Sequence, residues 1–282
     1  MKHSMVRKRV TGMPAQDGAG VKLSRVINQP SYKHQDPFLM LDEFKSDNPN
    51  DYIAGFPPHP HRGFCTLTYM LEGRMAHEDS QGNSGEIGAG GLQWMKAARG
   101  MIHSEMPKQE DGMMWGFQLW VNLPASQKMS DPEYADIMGS DVPEVVVDDV
   151  TVRVLSGAFG EASGPITKFA EVSGTDFLYL DVRFDAASGG KISIPAQGQQ
   201  TRLAYVYKGE VRLDGTTVRA GELAELQAEG DLMISADANS GMLVLAGQPI
   251  KEPIAQYGPF VMNNENELRQ AFKDYQDGSL TQ

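Results

Sequence analysis

A strand that ends in a glycine turn occurs in both halves of the chain, and it constrains the fold more than any other feature. Residues 68–74 (TYMLEGR) resemble residues 204–210 (AYVYKGE). After each of them comes a glycine-containing turn followed by a strand, at residues 85–92 and 216–223. Repetition of such units predicts a duplicated domain. The 30 glycines and 16 prolines among the 282 residues also favour short strands and tight turns over long helices.

The boundary between the two halves is expected near residues 139–152. It divides the chain into residues 1–140 and residues 141–282. A compact stretch ends there, and two new strands are predicted directly beyond its end, at residues 145–147 and 151–155.

Two helices are predicted in this otherwise all-β chain. Residues 130–138 are expected to hold a short helix with a proline near its first position. The stronger pattern lies at the C-terminus, where Asn264 can cap a helix and Glu267 follows three residues later. The apolar stripe of this helix consists of Leu268, Ala271, Phe272 and Tyr275. Gly278 ends the helix, which we expect to pack on a sheet in a structural role.

Two pairs of residues with alternating spacing carry the chemistry: His59 with His61, and His103 with Glu105. In an extended strand, side chains at positions i and i+2 lie on the same face. Each pair therefore offers two ligand atoms to one point, and two neighbouring strands offer four. Three imidazoles and one carboxylate suit a divalent transition metal, whereas calcium and magnesium prefer oxygen ligands.

The other histidines do not fit this pattern. His3, His34 and His77 are predicted to be ordinary polar residues. His77 could line the mouth of a pocket, but a surface position is the stronger expectation.

The second half of the chain lacks the four predicted ligands. Aligned on the repeated glycine turns, it carries Pro195, Gln197, Ile234 and Ala236 at the equivalent positions. Residues 153–260 are therefore predicted to form a barrel with the same architecture and no metal.

Charge and cysteine content limit the partners and the compartment. The net charge of −12 repels a phosphate backbone, so direct nucleic-acid binding is not expected. The single cysteine excludes an intrachain disulfide framework and fits a reducing compartment. No stretch approaches about 18 apolar residues, and no apolar segment follows the basic N-terminus. The sequence thus predicts a soluble cytoplasmic protein, with Arg7, Lys8 and Arg9 on a solvated edge strand.

Several motifs of the chain resemble those of one known protein family. GFPPHPHRGF at residues 55–64 resembles the first cupin motif, and residues 91–103 resemble the second. The segments that look specifically like pirins are DPFLMLDEF (36–44), LQWM (92–95), HSEMP (103–107) and GPFVMN (258–263). These matches run from about residue 20 to the C-terminus.

The resemblance implies two cupin-type β-sandwich barrels in tandem with a C-terminal helix, and one iron in the N-terminal barrel. Carried over to this chain, the metal ligands of the family fall on His59, His61, His103 and Glu105, the set that the spacing indicates. Zinc, manganese, nickel or copper could use the same donors. Two departures stand out, because pirins usually carry Glu at the position of Cys65 and often Asp at that of Gly91.

The surroundings of the metal follow from the same alternation. Cys65 continues the spacing of every second residue that His59 and His61 begin, so it is predicted to point into the metal-bearing barrel. Its role there is either that of a small buried apolar side chain or that of a group beside the metal ligands. Five apolar residues near the ligand strands could form an apolar pocket, although a core role is more common for such residues. They are Met95, Met101, Met113, Trp115 and Phe117.

Two functions remain open at this stage. The resemblance implies a quercetin 2,3-dioxygenase-type activity on a flavonol or another phenolic substrate, with open coordination positions on the metal and Glu105 as ligand and catalytic base. Other pirins act as transcription coregulators or bind metabolic enzymes. The alternative is therefore a non-enzymatic, metal-responsive regulatory protein that binds a transcription factor or a metabolic enzyme. In both cases we expect a monomer without membrane association.

Overall fold

Strands dominate the computed structural model, which describes residues 4–282. Those of the first half are β1 (Val6–Thr11), β2 (Met13–Asp17), β3 (Val21–Ile27), β4 (Phe38–Ser46), β5 (Phe56–His61), β6 (Phe64–Glu72), β7 (Met75–Asp79), β8 (Ser84–Ile87), β9 (Leu92–Lys96), β10 (Met101–Pro107), β11 (Met114–Asn122) and β12 (Glu133–Ile137). A short helix, α1 (Ala125–Lys128), lies between β11 and β12.

The second half continues with the same kind of short strand. Its strands are β13 (Glu144–Val147), β14 (Val150–Ser156), β15 (Ala158–Phe159), β16 (Ala162–Ser163), β17 (Phe177–Phe184), β18 (Gly190–Ile194), β19 (Thr201–Lys208), β20 (Glu210–Leu213), β21 (Thr216–Arg219), β22 (Glu222–Leu226), β23 (Leu232–Ala236), β24 (Ser240–Gly247), β25 (Ala255–Tyr257) and β26 (Phe260–Met262). Its helices are α2 (Thr167–Val172) and α3 (Glu265–Gln276).

Each half builds one large and one small antiparallel sheet, and the strand orders of the two halves match. The large sheets have the orders β12-β9-β6-β11-β4-β3-β2 and β1-β22-β19-β24-β17-β14-β13. The small sheets have the orders β5-β10-β7-β8 and β18-β23-β20-β21. The repeated turns at Gly73 and Gly209 join equivalent strands, β6 to β7 and β19 to β20. The predicted all-β fold and its duplication are confirmed.

Alternation along the strands sorts buried side chains into separate cores. In β19, Leu203 and Tyr205 belong to the core between the two large sheets, where they meet Leu67 of β6. Ala204 and Val206 of the same strand belong to the core inside the second barrel. Successive residues of a strand point to opposite faces, so each large sheet covers one barrel interior and the interface between the barrels.

The chain termini cross between the two halves. β1 pairs with β22 at the edge of the second large sheet, and the exposed Arg7, Lys8 and Arg9 on it confirm the predicted edge strand. The hairpin of β25 and β26 lies on the first barrel, where Phe260 pairs with Arg62. The predicted division at residue 140 stays a prediction. The two terminal segments pack on the opposite half of the protein, β1 on the second barrel and the β25–β26 hairpin on the first.

The short helix predicted at residues 130–138 is wrong. β12 occupies most of this segment and pairs with β9, so that Tyr134 lies opposite Met95. As an edge strand, the segment gains hydrogen bonds from the neighbouring strand, and Tyr134 packs on buried side chains of the sheet. These contacts are formed with residues distant in sequence, and they outweigh a local signal that consisted of one proline.

The C-terminal helix is confirmed as α3. The Asn264 side chain accepts hydrogen bonds from the backbone N–H groups of Asn266 and Glu267, each at 3.1 Å. Of the predicted stripe, Leu268 is buried in the cluster that joins α3 to β26. Gly278 follows the helix with φ of +72°, a left-handed conformation that glycine adopts without strain.

No helix within residues 4–282 has the length and apolar character that a membrane crossing requires.

Aliphatic side chains occupy the equivalent of the ligand positions in the second barrel. β18 pairs with β23 in the register in which β5 pairs with β10, so Ile192 lies opposite Ile234. Ile192 and Ile194 are the structural equivalents of His59 and His61. The sequence alignment, which assigned Pro195 and Gln197 to these two positions, was wrong. Ile192, Ile194 and Ile234 are buried in the barrel core. This packing supports the prediction of a second barrel without a metal.

Candidate metal centre

Neighbouring strands of the first small sheet bring three predicted ligands together. β5 and β10 are antiparallel, with His59 opposite His103 and His61 opposite Met101. One nitrogen from each of the three imidazoles lies within 4.8 Å of the others. The two histidines of β5 and the histidine of β10 therefore share one face of this sheet, as expected from alternating spacing.

Glu105 lies beside the histidine cluster, and two neighbours hold its carboxylate. Oε1 accepts a hydrogen bond from the Thr68 hydroxyl at 2.6 Å, and Oε2 accepts one from the Gln118 amide at 3.0 Å. Oε2 also lies 4.0 Å from His103 Nε2. The register of β10 shifts between His103 and Glu105. The fourth predicted ligand is thus at the edge of the cluster, oriented by hydrogen bonds from the large sheet.

The histidine cluster fits a transition metal. Nδ1 of His61 and Nε2 of His103 are buried and have no hydrogen-bond partner within residues 4–282. Nδ1 of His59 lies 2.8 Å from the carbonyl oxygen of Pro57, which leaves Nε2 available. Burial lowers the pKa of His61 and His103 well below the usual value of imidazole. Both rings are therefore neutral at pH 7, the form that binds metals.

A cavity of about 890 Å³ opens onto His59 and His61. Its other lining side chains include Met40, Phe44, Trp120, Gln118, Arg25 and Asp42. Arg25 forms an ion pair with the buried Asp42, with Nη2 to Oδ2 at 2.7 Å. The volume is in the range of small-molecule sites, and the wall combines aromatic surface with a few hydrogen-bonding groups.

The apolar residues near the ligand strands lie mostly in cores and not in the cavity wall. Trp115 and Phe117 are buried between the two large sheets, and Met95 and Met101 form a small buried cluster. The predicted core role is confirmed for these four. The cavity instead uses Trp120, whose ring also lies 5.2 Å from that of His61.

The turn after the ligand strand is held by residues distant in sequence. The buried Lys128 ammonium donates to the carbonyl oxygens of Gly63 at 2.7 Å and Val261 at 3.0 Å. Arg62, directly after His61, pairs with Asp274 of α3 at 2.6 Å. The C-terminal helix therefore has the expected structural role, and it stabilises the segment that carries a predicted ligand.

The prediction that His77 is a surface residue is wrong. His77 is only 1% exposed, and its Nδ1 lies 3.3 Å from Nδ1 of His103. β7 is the neighbour of β10 in the small sheet, and its sequence His77-Glu78-Asp79 repeats the alternating spacing of the two ligand pairs. That third pair was the available signal. His34 lines the cavity, and His3 lies outside the described residues.

The prediction that Cys65 points into the metal-bearing barrel is also wrong. Cys65 is fully buried in the core between the two large sheets. Gly63 has φ of +92°, and this left-handed turn carries the chain from the small sheet into β6 of the large sheet. Phe64 therefore faces the cluster, 5.1 Å from the ring of His61, and Cys65 faces the second barrel. The spacing of every second residue does not predict the face of Cys65, because His61 ends β5 whereas Cys65 lies in β6.

The position of Cys65 leads to a prediction about its reactivity. Burial raises the pKa of the thiol, and the thiolate is the reactive form. We expect an aromatic disulfide reagent to find no rapidly reacting thiol in the native protein and one thiol per chain in guanidinium chloride. A thiol that reacts at a similar rate in both states would contradict this placement.

Two tandem β-barrels of this topology, with a histidine cluster in one of them, define a bicupin. Family comparisons agree with this class. The model of the family described as pirin matches residues 20–121, and that of the pirin C-terminal cupin domain matches residues 179–281. The chain belongs to the pirin family.

Individual relatives support the same assignment over the full length. A Pseudomonas aeruginosa protein, provisionally named quercetin 2,3-dioxygenase, is 50% identical over 274 residues, which cover 96% of this chain and 95% of the relative. Human pirin is 40% identical over 269 residues, covering 93% of this chain and 88% of pirin. The crystal structure of quercetin 2,3-dioxygenase from Acinetobacter baumannii has a TM-score of 0.87 and 31% identity, covering 98% of this chain and 97% of that chain.

Proposed function

We propose that this protein is a metal-dependent dioxygenase of the quercetin 2,3-dioxygenase type, with a flavonol or another phenolic compound as substrate. The observation that carries the proposal is the cluster of His59, His61 and His103, of which His59 and His61 line a cavity large enough for such a molecule. The names of the relatives from Pseudomonas aeruginosa and Acinetobacter baumannii support the reaction type.

The proposed metal ligands are the three histidines together with Glu105, and the proposed metal is iron. When bound, the metal would supply Lewis-acid and redox chemistry for a phenolic oxygen and O₂. Zinc, manganese, nickel and copper suit the same donors, so metal analysis of untagged protein has to accompany every activity measurement.

Glu105 is the proposed base for the hydroxyl of the substrate. A base has to be within hydrogen-bond reach of the proton that it takes. Gln118 lines the cavity and donates to Oε2 of Glu105, which places the carboxylate directly behind the cavity wall. Thr68 orients the other oxygen. The ring of Trp120 offers an aromatic surface against which a flat substrate can pack.

An oxygen-uptake experiment tests the activity. Protein loaded with Fe(II) under anaerobic conditions is mixed with quercetin and then exposed to O₂, and both O₂ concentration and flavonol absorbance are followed. We expect metal-dependent consumption of both. Glu105→Gln, compared at equal metal content, should lower the turnover rate by about 10²- to 10⁴-fold, the usual contribution of a positioned base. The matched control is Glu78→Gln, which removes a carboxylate from an exposed position on β7.

The alternative outcome is equally specific. Fully metal-loaded protein that consumes no O₂ with quercetin would favour the regulatory hypothesis, in which the metal sets a conformation that a transcription factor or a metabolic enzyme recognises. We further propose that the protein is a monomer in the cytoplasm. The compartment is supported by the single cysteine, which is buried and forms no disulfide and therefore fits a reducing environment.

A further inference from the structure

A second buried pair, His77 and Asp79 of β7, lies directly behind the histidine cluster. Nδ1 of His77 is 3.3 Å from Nδ1 of His103, and Nε2 of His77 is 3.5 Å from Oδ2 of Asp79. Both side chains of the β7 pair have no solvent exposure. The three groups therefore form a line that ends at His103, one of the proposed ligands.

Both side chains of the β7 pair are held by further contacts. The ring of His77 stacks on Tyr134, with the centroids 4.5 Å apart and an interplanar angle of 19°. Oδ1 of Asp79 accepts hydrogen bonds from the backbone N–H groups of Gln81 at 2.9 Å and Asn83 at 3.0 Å. Oδ2 of Asp79 also accepts a hydrogen bond from the Asn83 side-chain amide at 2.9 Å. The His77 ring cannot turn away without losing the stack, and the Asp79 carboxylate cannot turn without losing three donors.

The distances allow a single arrangement of protons that is compatible with a metal. Two facing imidazole nitrogens at hydrogen-bond distance need one proton between them, because two lone pairs repel each other. Nε2 of His77 makes no hydrogen bond within residues 4–282, but the Asp79 carboxylate 3.5 Å away, which can only accept, favours the proton of His77 on this nitrogen. The Nδ1 of His77 is then an acceptor, and the proton between the rings belongs to Nδ1 of His103. The Nε2 of His103, which has no hydrogen-bond partner within residues 4–282, is left with a free lone pair.

We propose that His77 and Asp79 are positioning residues for the metal centre, which select the tautomer of His103 whose Nε2 can bind a metal. The proposal rests on the metal centre proposed above. The proposal gives a role to His77, a buried histidine outside the proposed ligand set. It also explains why the carboxylate of Asp79, which can only accept hydrogen bonds, lies on the same face of β7. Partners of this kind commonly change metal affinity by about 10- to 100-fold.

Cobalt binding to two variants tests the proposal. His77→Phe keeps an aromatic ring on Tyr134 and removes the acceptor for His103. Asp79→Asn retains an oxygen for the backbone N–H groups of Gln81 and Asn83, and its NH₂ replaces Oδ2, which removes the acceptor beside Nε2 of His77 and that of the Asn83 side-chain amide. Each variant should bind Co²⁺ about 10- to 100-fold more weakly than the wild type in chelator competition. Glu78→Gln, the exposed neighbour on β7, should bind within about twofold.

Proton NMR of the Co²⁺-loaded proteins separates positioning from packing. The wild type should show a paramagnetically shifted, slowly exchanging N–H signal from Nδ1 of His103. In both variants this proton lacks its well-placed acceptor, so the slowly exchanging signal should be lost through faster exchange with water. Unchanged affinity in both variants, or weaker affinity with this signal retained, would overturn the proposal while leaving the metal centre intact. A wild type that binds no Co²⁺ would instead overturn the metal centre itself. Thermal unfolding of the apoproteins identifies a variant that fails to fold, and the remaining variant then decides.

Discussion

His61→Ala should release most of the metal from the protein. The loss of metal affinity should exceed about 100-fold, which is the upper end of the range for residues that hydrogen-bond to a ligand without binding the metal themselves. His61 supplies one of three clustered imidazoles and is buried, so no solvent-exposed side chain can take its place. The wild type is expected to hold close to one metal per chain after dialysis. Elemental analysis of protein purified without tags, together with chelator competition, measures both quantities.

His34→Ala is the matched control for this measurement. His34 lines the same cavity but lies outside the cluster, and its ring faces the Gln256 side chain at 2.6 Å. It should keep the wild-type metal content. Full retention of the metal by His61→Ala would contradict the assigned centre, and equal losses in both variants would indicate that metal content follows overall stability.

Asp181→Ala should destabilise the protein by about 3–5 kcal/mol, the usual cost of removing one partner of a buried ionic network. The Asp181 carboxylate accepts hydrogen bonds from the hydroxyls of Tyr69 and Tyr207, each at 2.6 Å, and from Arg183 at 2.7 Å. Tyr69 belongs to the first barrel and the other three residues to the second. Alanine would leave an uncompensated guanidinium and two phenols at the interface between the barrels.

Chemical denaturation with metal-free protein measures this effect. Asp185→Ala, an exposed carboxylate just beyond the end of the same strand, should change the free energy of unfolding by less than about 0.5 kcal/mol. Since Asp181 lies at the interface between the barrels and outside the histidine cluster, folded Asp181→Ala should still bind metal with wild-type affinity. A variant with wild-type stability would show that the network contributes little to holding the barrels together.

The clustering of His59, His61 and His103 and the duplication could be predicted from the sequence because both depend on local order. His59 and His61 share a face for the same reason that any two residues at alternating positions of one strand do. The α3 helix was equally predictable, since its cap at Asn264 and its stop at Gly278 are contacts between near neighbours in the chain.

Other features were decided by the partners that each segment meets in the folded protein. β12 is a strand because β9 offers it an open edge. His77 is buried because β10 and Tyr134 lie against it, and the alternating pair with Asp79 does not by itself tell which face of β7 is covered.

Cys65 shows most directly where the two kinds of information separate. The sequence by itself determined that a strand carries His59 and His61 on one face, that a matching pair follows, and that the architecture is repeated without these two pairs. It could not determine which face Cys65 takes, because Gly63 transfers the chain from the small sheet to the large one. Alternation holds only within a strand, so the orientation of residues after such a crossing is set by how the two sheets pack.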